Sequence, residues 1–293
     1  MNSIFCERFQ KLEFIGAGGM GEIWRAYDSS TGAIVALKEL HPHLVRQKDV
    51  FRFFREFEHL ASVSHKNVIK IVSFNSDLKK PAYTMEYCPK GDLRVWLTKN
   101  RSQDEILSCF WQLCDGVGAL HNNKNQIIHR DLKPQNILLG EDSNFKISDL
   151  GLSLSMDSSV TRVTTSNWIS PGFSPPEQFK NMGTVDQTGD IYSLGAILYF
   201  MLTSQDCSDN IDLHNSAIPK DIRLILQWML ESDPKKRFRS VKPIKAAYNR
   251  VGGSAYIQIC PQCGGAAISD ISFESGGSIT CLECKYDVWD GIE

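Results

Sequence analysis

The segment Ile127–Leu139, IIHRDLKPQNILL, sets His129, Arg130, Asp131, Lys133 and Asn136 between two apolar runs. Buried polar groups need partners, so this concentration reads as a working loop held by two short strands rather than as packing. A carboxylate at Asp131 can accept a proton from a hydroxyl. The ammonium of Lys133 can neutralise a migrating phosphate, and the amide of Asn136 can hold a metal ion. Thirteen residues further on, Asp149 stands at the end of an apolar strand, in KISDLG. A carboxylate there can chelate Mg²⁺, which prefers hard oxygen ligands.

Other residues upstream could serve the same chemistry. Gly16-x-Gly18-x-x-Gly21, in IGAGGMGEIW, can cradle phosphate. A dinucleotide-binding turn would open into a helix after its glycines. Here Glu22–Tyr27 continues as an extended run, which favours a hairpin folded over phosphates. Lys38 ends the apolar strand VALK, where it can point a fixed charge into a cleft or lie on a sheet edge. In REFEHLASVSH, Glu56 can pair with Lys38, with Glu58 as the competing candidate.

The elements that must position these groups follow from periodicity. Phe9–Gly16, Glu22–Tyr27 and Ala33–Leu40 read as strands, with a turn at Asp28–Gly32. A helix is expected at about Asp49–Val63, then strands at Val68–Asn75 and Ala82–Tyr87. Ile106, Phe110, Leu113, Val117 and Leu120 step by 4, 3, 4, 3 and make one helical stripe. Ser102 and Glu105 form a capping box at its start. Cys109 and Cys114 beside the stripe read as small buried thiols. Leu194–Leu202 is the longest apolar stretch, too short to span a bilayer, and reads as a buried helix.

The tail is a separate unit. Cys260-x-x-Cys263 and Cys281-x-x-Cys284, 17 residues apart, have zinc-ribbon spacing. Four thiolates from two tight turns can close a tetrahedral Zn²⁺ site with no open position, which makes it structural rather than catalytic. Ile271 and Phe273 alternate, and Ser275–Ser278 suits a hairpin turn. About 40 residues cannot build a large core, so metal is the expected staple. Asp270, Glu274, Glu283, Asp287, Asp290 and Glu293 outnumber Lys285, which disfavours nucleic acid. Docking to protein, or to the rest of this chain, is the expected role.

The bulk properties agree with a soluble globular protein. The 293 residues are 42% hydrophobic and 23% charged, with net charge −2, and the pI is near 6.4. That balance exerts no global pull on nucleic acid or anionic membrane. The N-terminus lacks a signal-peptide pattern. Nine cysteines without one suggest free thiols and metal sites in a reducing cytoplasm.

The ordered set Gly16-x-Gly18-x-x-Gly21, Lys38, Glu56, His129-Arg130-Asp131, Asn136 and Asp149-Leu150-Gly151 resembles the eukaryotic-like protein kinase signature. It continues through SPPEQF with Glu177, DIYSLG with Asp190, and DPKKRF with Arg237. The wording is most similar to the bacterial branch of Ser/Thr kinases. The likeness covers residues 9–250, with the ribbon at 255–293.

The resemblance implies an α+β, two-lobed kinase fold with a β-rich N-lobe and an α-rich C-lobe. It implies transfer of the γ-phosphoryl of ATP, with Mg²⁺ or Mn²⁺, to Ser/Thr hydroxyls of a protein substrate. By position, Ile15, Gly16, Gly18, Gly21, Ile23 and Ala36 would line the ATP site. Lys38 would bind phosphates with Glu56 holding it, Met85 would be gatekeeper, and Glu86 to Cys88 the hinge. Asp131 would be the catalytic base beside Lys133, with Asn136 and Asp149 as metal ligands. Glu177 and Arg237 would form a buried pair, and Asp190 would brace the catalytic loop.

Between Gly151 and Glu177 lie ten Ser and Thr hydroxyls, the pattern of an activation loop. Arg130 could clamp a phosphate there, with Thr164 or Thr165 as the expected sites of autophosphorylation. Leu150 replaces the usual Phe, Pro175 the usual Ala, and Ser170 the usual Thr, while the lower lobe after Leu202 is short. A pseudokinase scaffold is the alternative, although it would need none of Lys38, Asp131, Asn136 and Asp149. A small-molecule kinase is a third reading, disfavoured by the activation-loop hydroxyls and the DLKPQN wording.

Overall fold

Five strands open the chain: β1 (Phe9–Ala17), β2 (Gly21–Asp28), β3 (Ala33–Leu40), β4 (Ile71–Asn75) and β5 (Ala82–Glu86). They pair antiparallel in the order β1-β2-β3-β5-β4. The computed structural model describes residues 7–45, 47–75, 77, 79–150, 154–155, 169–180, 185–208, 211–250, 255–260, 262–263, 265–270, 277–284 and 287–290. Helix α1 (Gln47–Ala61) packs across one face of the sheet, two residues earlier than the spacing predicts. The strand expected from Val68 begins only at Ile71. Val68 bridges to Ile147 and Ile69 N donates to Ile147 O, so this stretch is tied to the other lobe instead.

The second lobe is helical: α2 (Leu93–Leu97), α3 (Gln103–His121), α4 (Pro176–Lys180), α5 (Gln187–Thr203), α6 (Lys220–Met229) and α7 (Val241–Arg250). The capping box at the start of α3 is complete, Ser102 Oγ accepting from Glu105 N and the Glu105 carboxylate accepting from Ser102 N. The stripe from Ile106 to Leu120 is buried, as are Cys109 and Cys114. Helix α5 is buried almost all round, which explains its apolar run. No helix among the described residues is long and apolar enough to cross a membrane. Between α5 and α6 the described residues hold no helix, in keeping with a short lower lobe.

Two short antiparallel strand pairs carry the polar loops at the junction of the lobes. Strand β6 (Ile127–Ile128) pairs with β9 (Leu154–Ser155), and β7 (Ile137–Leu139) pairs with β8 (Phe145–Ile147). The two apolar runs flanking Asp131 are thus β6 and β7. Strand β8 ends two residues before Asp149, because Asp149 turns to a positive φ of 60° and cannot continue the ladder.

The tail folds as β10 (Ala255–Ile259), β11 (Ala266–Asp270), β12 (Gly277–Cys281) and β13 (Asp287–Asp290), an antiparallel sheet in chain order. Ile271, Phe273, Ser275 and Gly276 lie outside the described residues, while Gly277 and Ser278 already belong to β12. Ala266 and Ile268 of β11 are buried in the same apolar cluster as the helical lobe, and Leu282 packs against it.

Candidate active site

The antiparallel register decides which side chains share a face. Ile23 stands opposite Lys38, Lys38 opposite Tyr83, and Ala36 opposite Met85. Ile23, Ala36, Lys38 and Met85 therefore line one face of the sheet, under the glycine turn. Gly16 lies opposite Ile23, and Ile15 falls at the bulge between Phe14 and Gly16, half-exposed. The turn is closed by Gly18 N donating to Gly21 O at 2.9 Å. A Cβ at Gly21 would stand 2.1 Å from Glu39 O, so a side chain is excluded there, whereas Gly16 and Gly18 face open space.

Lys38 is buried, with its Nζ 2.6 Å from Glu56 Oε1 and 3.3 Å from Asp149 Oδ1. Glu56 is the partner because it lies on the buried side of α1 with Phe53 and Leu60, while Glu58 is exposed. Burial alone would lower the Lys38 pKa, but the fields of Asp149 and Glu56 outweigh it and hold the ammonium well above its ordinary value. Burial raises the Glu56 carboxyl against the attraction of Lys38. Burial also opposes ionisation of Asp149, yet Lys38 brings its pKa to about 2. Its side chain is 47% exposed, so this carboxylate faces the open cleft.

The loop that carries His129, Arg130 and Asp131 hangs from one carboxylate. Asp190, fully buried on α5, accepts from His129 N and Arg130 N at 2.9 Å each and from His121 Nε2 at 2.8 Å. These donors hold its pKa below the ordinary carboxylate value despite burial. His129 Nε2 donates to Ser148 O and its Nδ1 accepts from Asp131 N, which fixes the imidazole tautomer. Asp131 then accepts Lys133 Nζ at 2.7 Å and Ser170 Oγ at 2.7 Å. Asn136 Nδ2 donates to the Asp131 backbone and carboxylate, and no described residue donates to its Oδ1. Asn136 Oδ1 and Asp149 are the hard oxygens available to a divalent cation.

A model of the protein kinase domain matches residues 9–248. The chain belongs to the protein kinase family. It is 32% identical over 287 residues to the serine/threonine-protein kinase PknD of Chlamydia caviae, covering 82% of this chain and 30% of that protein. It is 30% identical over 240 residues to the Aurora kinase of Schizosaccharomyces pombe, covering 76% and 66%. To the serine/threonine-protein kinase PrkC of Bacillus subtilis it is 28% identical over 259 residues, covering 82% and 40%. The chain thus spans from about a third to two thirds of the length of these curated relatives.

In the kinase, Glu86 N donates to Lys70 O at 2.9 Å, and its carboxylate takes Lys70 N at 2.7 Å and Lys146 Nζ at 3.0 Å. This anchors the segment running to Cys88 from behind. Burial pushes the Cys88 thiol up to about 12, so it is no nucleophile at neutral pH. Arg237 and Glu177 meet through two parallel bonds of 2.7 and 2.8 Å, with the guanidinium fully buried. Arg130, at φ 66°, donates from NH2 to Val185 O at 2.6 Å, while its buried Nε and NH1 have no partner among the described residues. Thr164 and Thr165 lie outside the described residues. A cavity of about 800 Å³ lined by Phe9, Leu37, Leu40, Lys79 and Lys80 includes none of these groups.

The four tail cysteines converge. All four Sγ atoms lie within 4.8 Å of one another, with Cys260–Cys284 at 3.7 Å and Cys263–Cys281 at 3.5 Å. Sulfurs about 2.3 Å from a central ion form a tetrahedron with edges of roughly 3.8 Å, so the set fits a tetrahedral metal with thiolate ligands. Backbone N–H groups of Gly265, Glu283 and Cys284 point at Cys263 or Cys281 sulfurs at 3.2–3.4 Å, which favours thiolates.

Three contacts escape the motif reading. His121 supports Asp190 from α3. Gln178 Nε2 donates to Arg130 O at 2.9 Å. Tyr83 OH donates to Glu56 Oε1 at 2.7 Å. Alternation in β5 could have placed Tyr83 on the inner face, but it carries no sign of which group the hydroxyl meets.

Proposed function

We propose that this chain is an ATP-dependent protein serine/threonine kinase that phosphorylates Ser/Thr hydroxyls of a protein substrate, including its own activation loop. The observation that carries this reading is the convergence of Lys38, held between Glu56 and Asp149, with an Asp131 carboxylate that already accepts a hydroxyl. The catalytic domain is taken as residues 9–250 and the ribbon as 255–293. The chain is placed in a reducing cytoplasm, where the four converging tail cysteines serve as thiol ligands rather than as disulfides.

In this reading Gly16, Gly18 and Gly21 leave room for phosphates beneath the hairpin. Ile15, Ile23, Ala36 and Met85 flank the adenine, and the backbone from Glu86 to Cys88 borders it. Lys38 orients the α- and β-phosphates because Glu56 fixes its ammonium. Asn136 Oδ1 and the Asp149 carboxylate hold Mg²⁺, which when bound neutralises charge on the phosphate oxygens. Asp131 accepts the proton of the attacking hydroxyl, aligned as Ser170 now is. Lys133 neutralises the charge that develops on the transferred group.

The ribbon is assigned Zn²⁺ through Cys260, Cys263, Cys281 and Cys284, and its partner is the kinase itself. Supporting this, Ala266 and Ile268 are buried with the helical lobe, and Glu283 Oε1 accepts from Arg239 N at 3.0 Å beside α7. Intact-mass spectrometry after incubation with Mg²⁺ and ATP tests the activity. Phosphate-sized increments in the wild type and none in Asp131→Asn are expected. Equal increments in both proteins would remove Asp131 as the base.

A further inference from the structure

Glu56 Oε1 accepts two hydrogen bonds, one from Lys38 Nζ at 2.6 Å and one from Tyr83 OH at 2.7 Å. Tyr83 stands directly opposite Lys38 in the β3–β5 register and two residues before Met85. Its side chain is almost fully buried, with ring centroids 5.1 Å from Phe53 and 6.2 Å from Phe57 of α1. A leucine or phenylalanine would fill this space without a polar atom. A buried phenol needs a partner, and here the partner is Glu56. Among the described residues Glu56 Oε2 has no hydrogen-bond donor, so the two bonds to Oε1 are the ones that orient the carboxylate.

We propose that Tyr83 is a positioning residue for phosphoryl transfer, its hydroxyl holding Glu56 where it directs the Lys38 ammonium. The inference rests on the proposed role of Lys38. Lys38 lies between two carboxylates, 2.6 Å from Glu56 and 3.3 Å from Asp149. If Glu56 were free to turn, Lys38 would close on Asp149 and neutralise the carboxylate needed for the metal. The second donor from β5 decides that competition. It also docks α1 onto the sheet by a contact that does not involve the segment between Gly151 and Glu177.

The test is Tyr83→Phe in the full chain, with ATP, Mg²⁺ and casein as acceptor. The phenyl ring keeps the packing, and a thermal melt checks the fold. The expected result is a fall in kcat of about tenfold, the size of one lost hydrogen bond to a charged group. KM for ATP stays within about twofold, because an interaction that acts in the transition state shows in kcat. An unchanged kcat, or a loss that shows as a raised KM for ATP instead, overturns the proposal and leaves Tyr83 as core packing. Lys38→Met is measured alongside. Retained activity there would remove the role of Lys38 itself, whatever Tyr83→Phe does.

Discussion

Ser170 donates its hydroxyl to the Asp131 carboxylate at 2.7 Å, from a position 39 residues further along the chain. Lys133 Nζ reaches the same hydroxyl at 3.3 Å and the same carboxylate at 2.7 Å. The hydroxyl therefore bridges the proposed base and its neighbouring cation. Removing it takes away the second contact that fixes the Lys133 ammonium and one of the donors that orient the Asp131 carboxylate. Ser170→Ala should lower kcat by about tenfold, and Ser170→Thr should keep most of the activity. Steady-state kinetics on both variants check this, and equal rates in the alanine variant would make the contact incidental.

Asp190 has no solvent exposure and accepts three donors, His121 Nε2 and the backbone N–H groups of His129 and Arg130. Its pKa is depressed, so the folded state binds the proton less readily than the unfolded chain. The stabilisation is then fully present above the ordinary aspartate value and is lost as pH falls through the folded one. Asp190→Asn cannot serve the same three donors and should cost roughly 2–4 kcal/mol near neutral pH. Urea melts at several pH values are the measurement. The gap between wild type and variant should narrow on acidification, and a constant gap would place the acid sensitivity elsewhere.

How much of this was legible in the sequence depends on the separation of the partners. Asp131, Lys133 and Asn136 lie within six residues, so their shared loop could be read from the two apolar runs around them. The Ser102–Glu105 capping box and the paired Cys-x-x-Cys motifs are equally local. The strand boundary before Ile71 was misread, because pairing with Ile147 across the lobes redirects an apolar run that looks like sheet. Glu56 and Glu58 could not be separated by residue type. Helical phase separates them, since Glu56 shares a face with Phe53 and Leu60. Tyr83 with Glu56 and Glu283 with Arg239 are contacts made only by folding, 27 and 44 residues apart.

The Glu283 carboxylate of the tail receives Arg239 N at 3.0 Å just before α7. Arg239 O in turn accepts Gln187 Nε2 at 2.6 Å, at the start of the helix that carries Asp190. Glu283 sits between Cys281 and Cys284, so the turn that carries these two thiols sets its position. Cys281→Ser should release about one zinc per chain, since a closed site needs four ligands. Glu283→Ala should keep the zinc and lower Tm by about 2–4 °C, for a loss of about 1 kcal/mol. Metal analysis with differential scanning calorimetry separates the two effects. A Glu283→Ala chain with unchanged Tm would show that the apolar contacts of Ala266 and Ile268 suffice.

Arg130 holds the last prediction. Its guanidinium is buried, gives NH2 to Val185 O, and leaves Nε and NH1 without partners among the described residues. Burial lowers its pKa, with Asp190 and Asp186 working against that shift. Two unpaired buried donors are costly, and a phosphate on the following segment would satisfy both with charge-assisted bonds. Phosphorylation at Thr164 or Thr165 should therefore order that segment and raise activity. The Thr164→Ala, Thr165→Ala double variant should lose about tenfold or more in kcat. It should also become insensitive to phosphatase treatment, which the wild type is not. Full activity in the double variant, still abolished by phosphatase, would move the site to another hydroxyl between Gly151 and Glu177. Full activity indifferent to phosphatase would mean that Arg130 is satisfied without a phosphate.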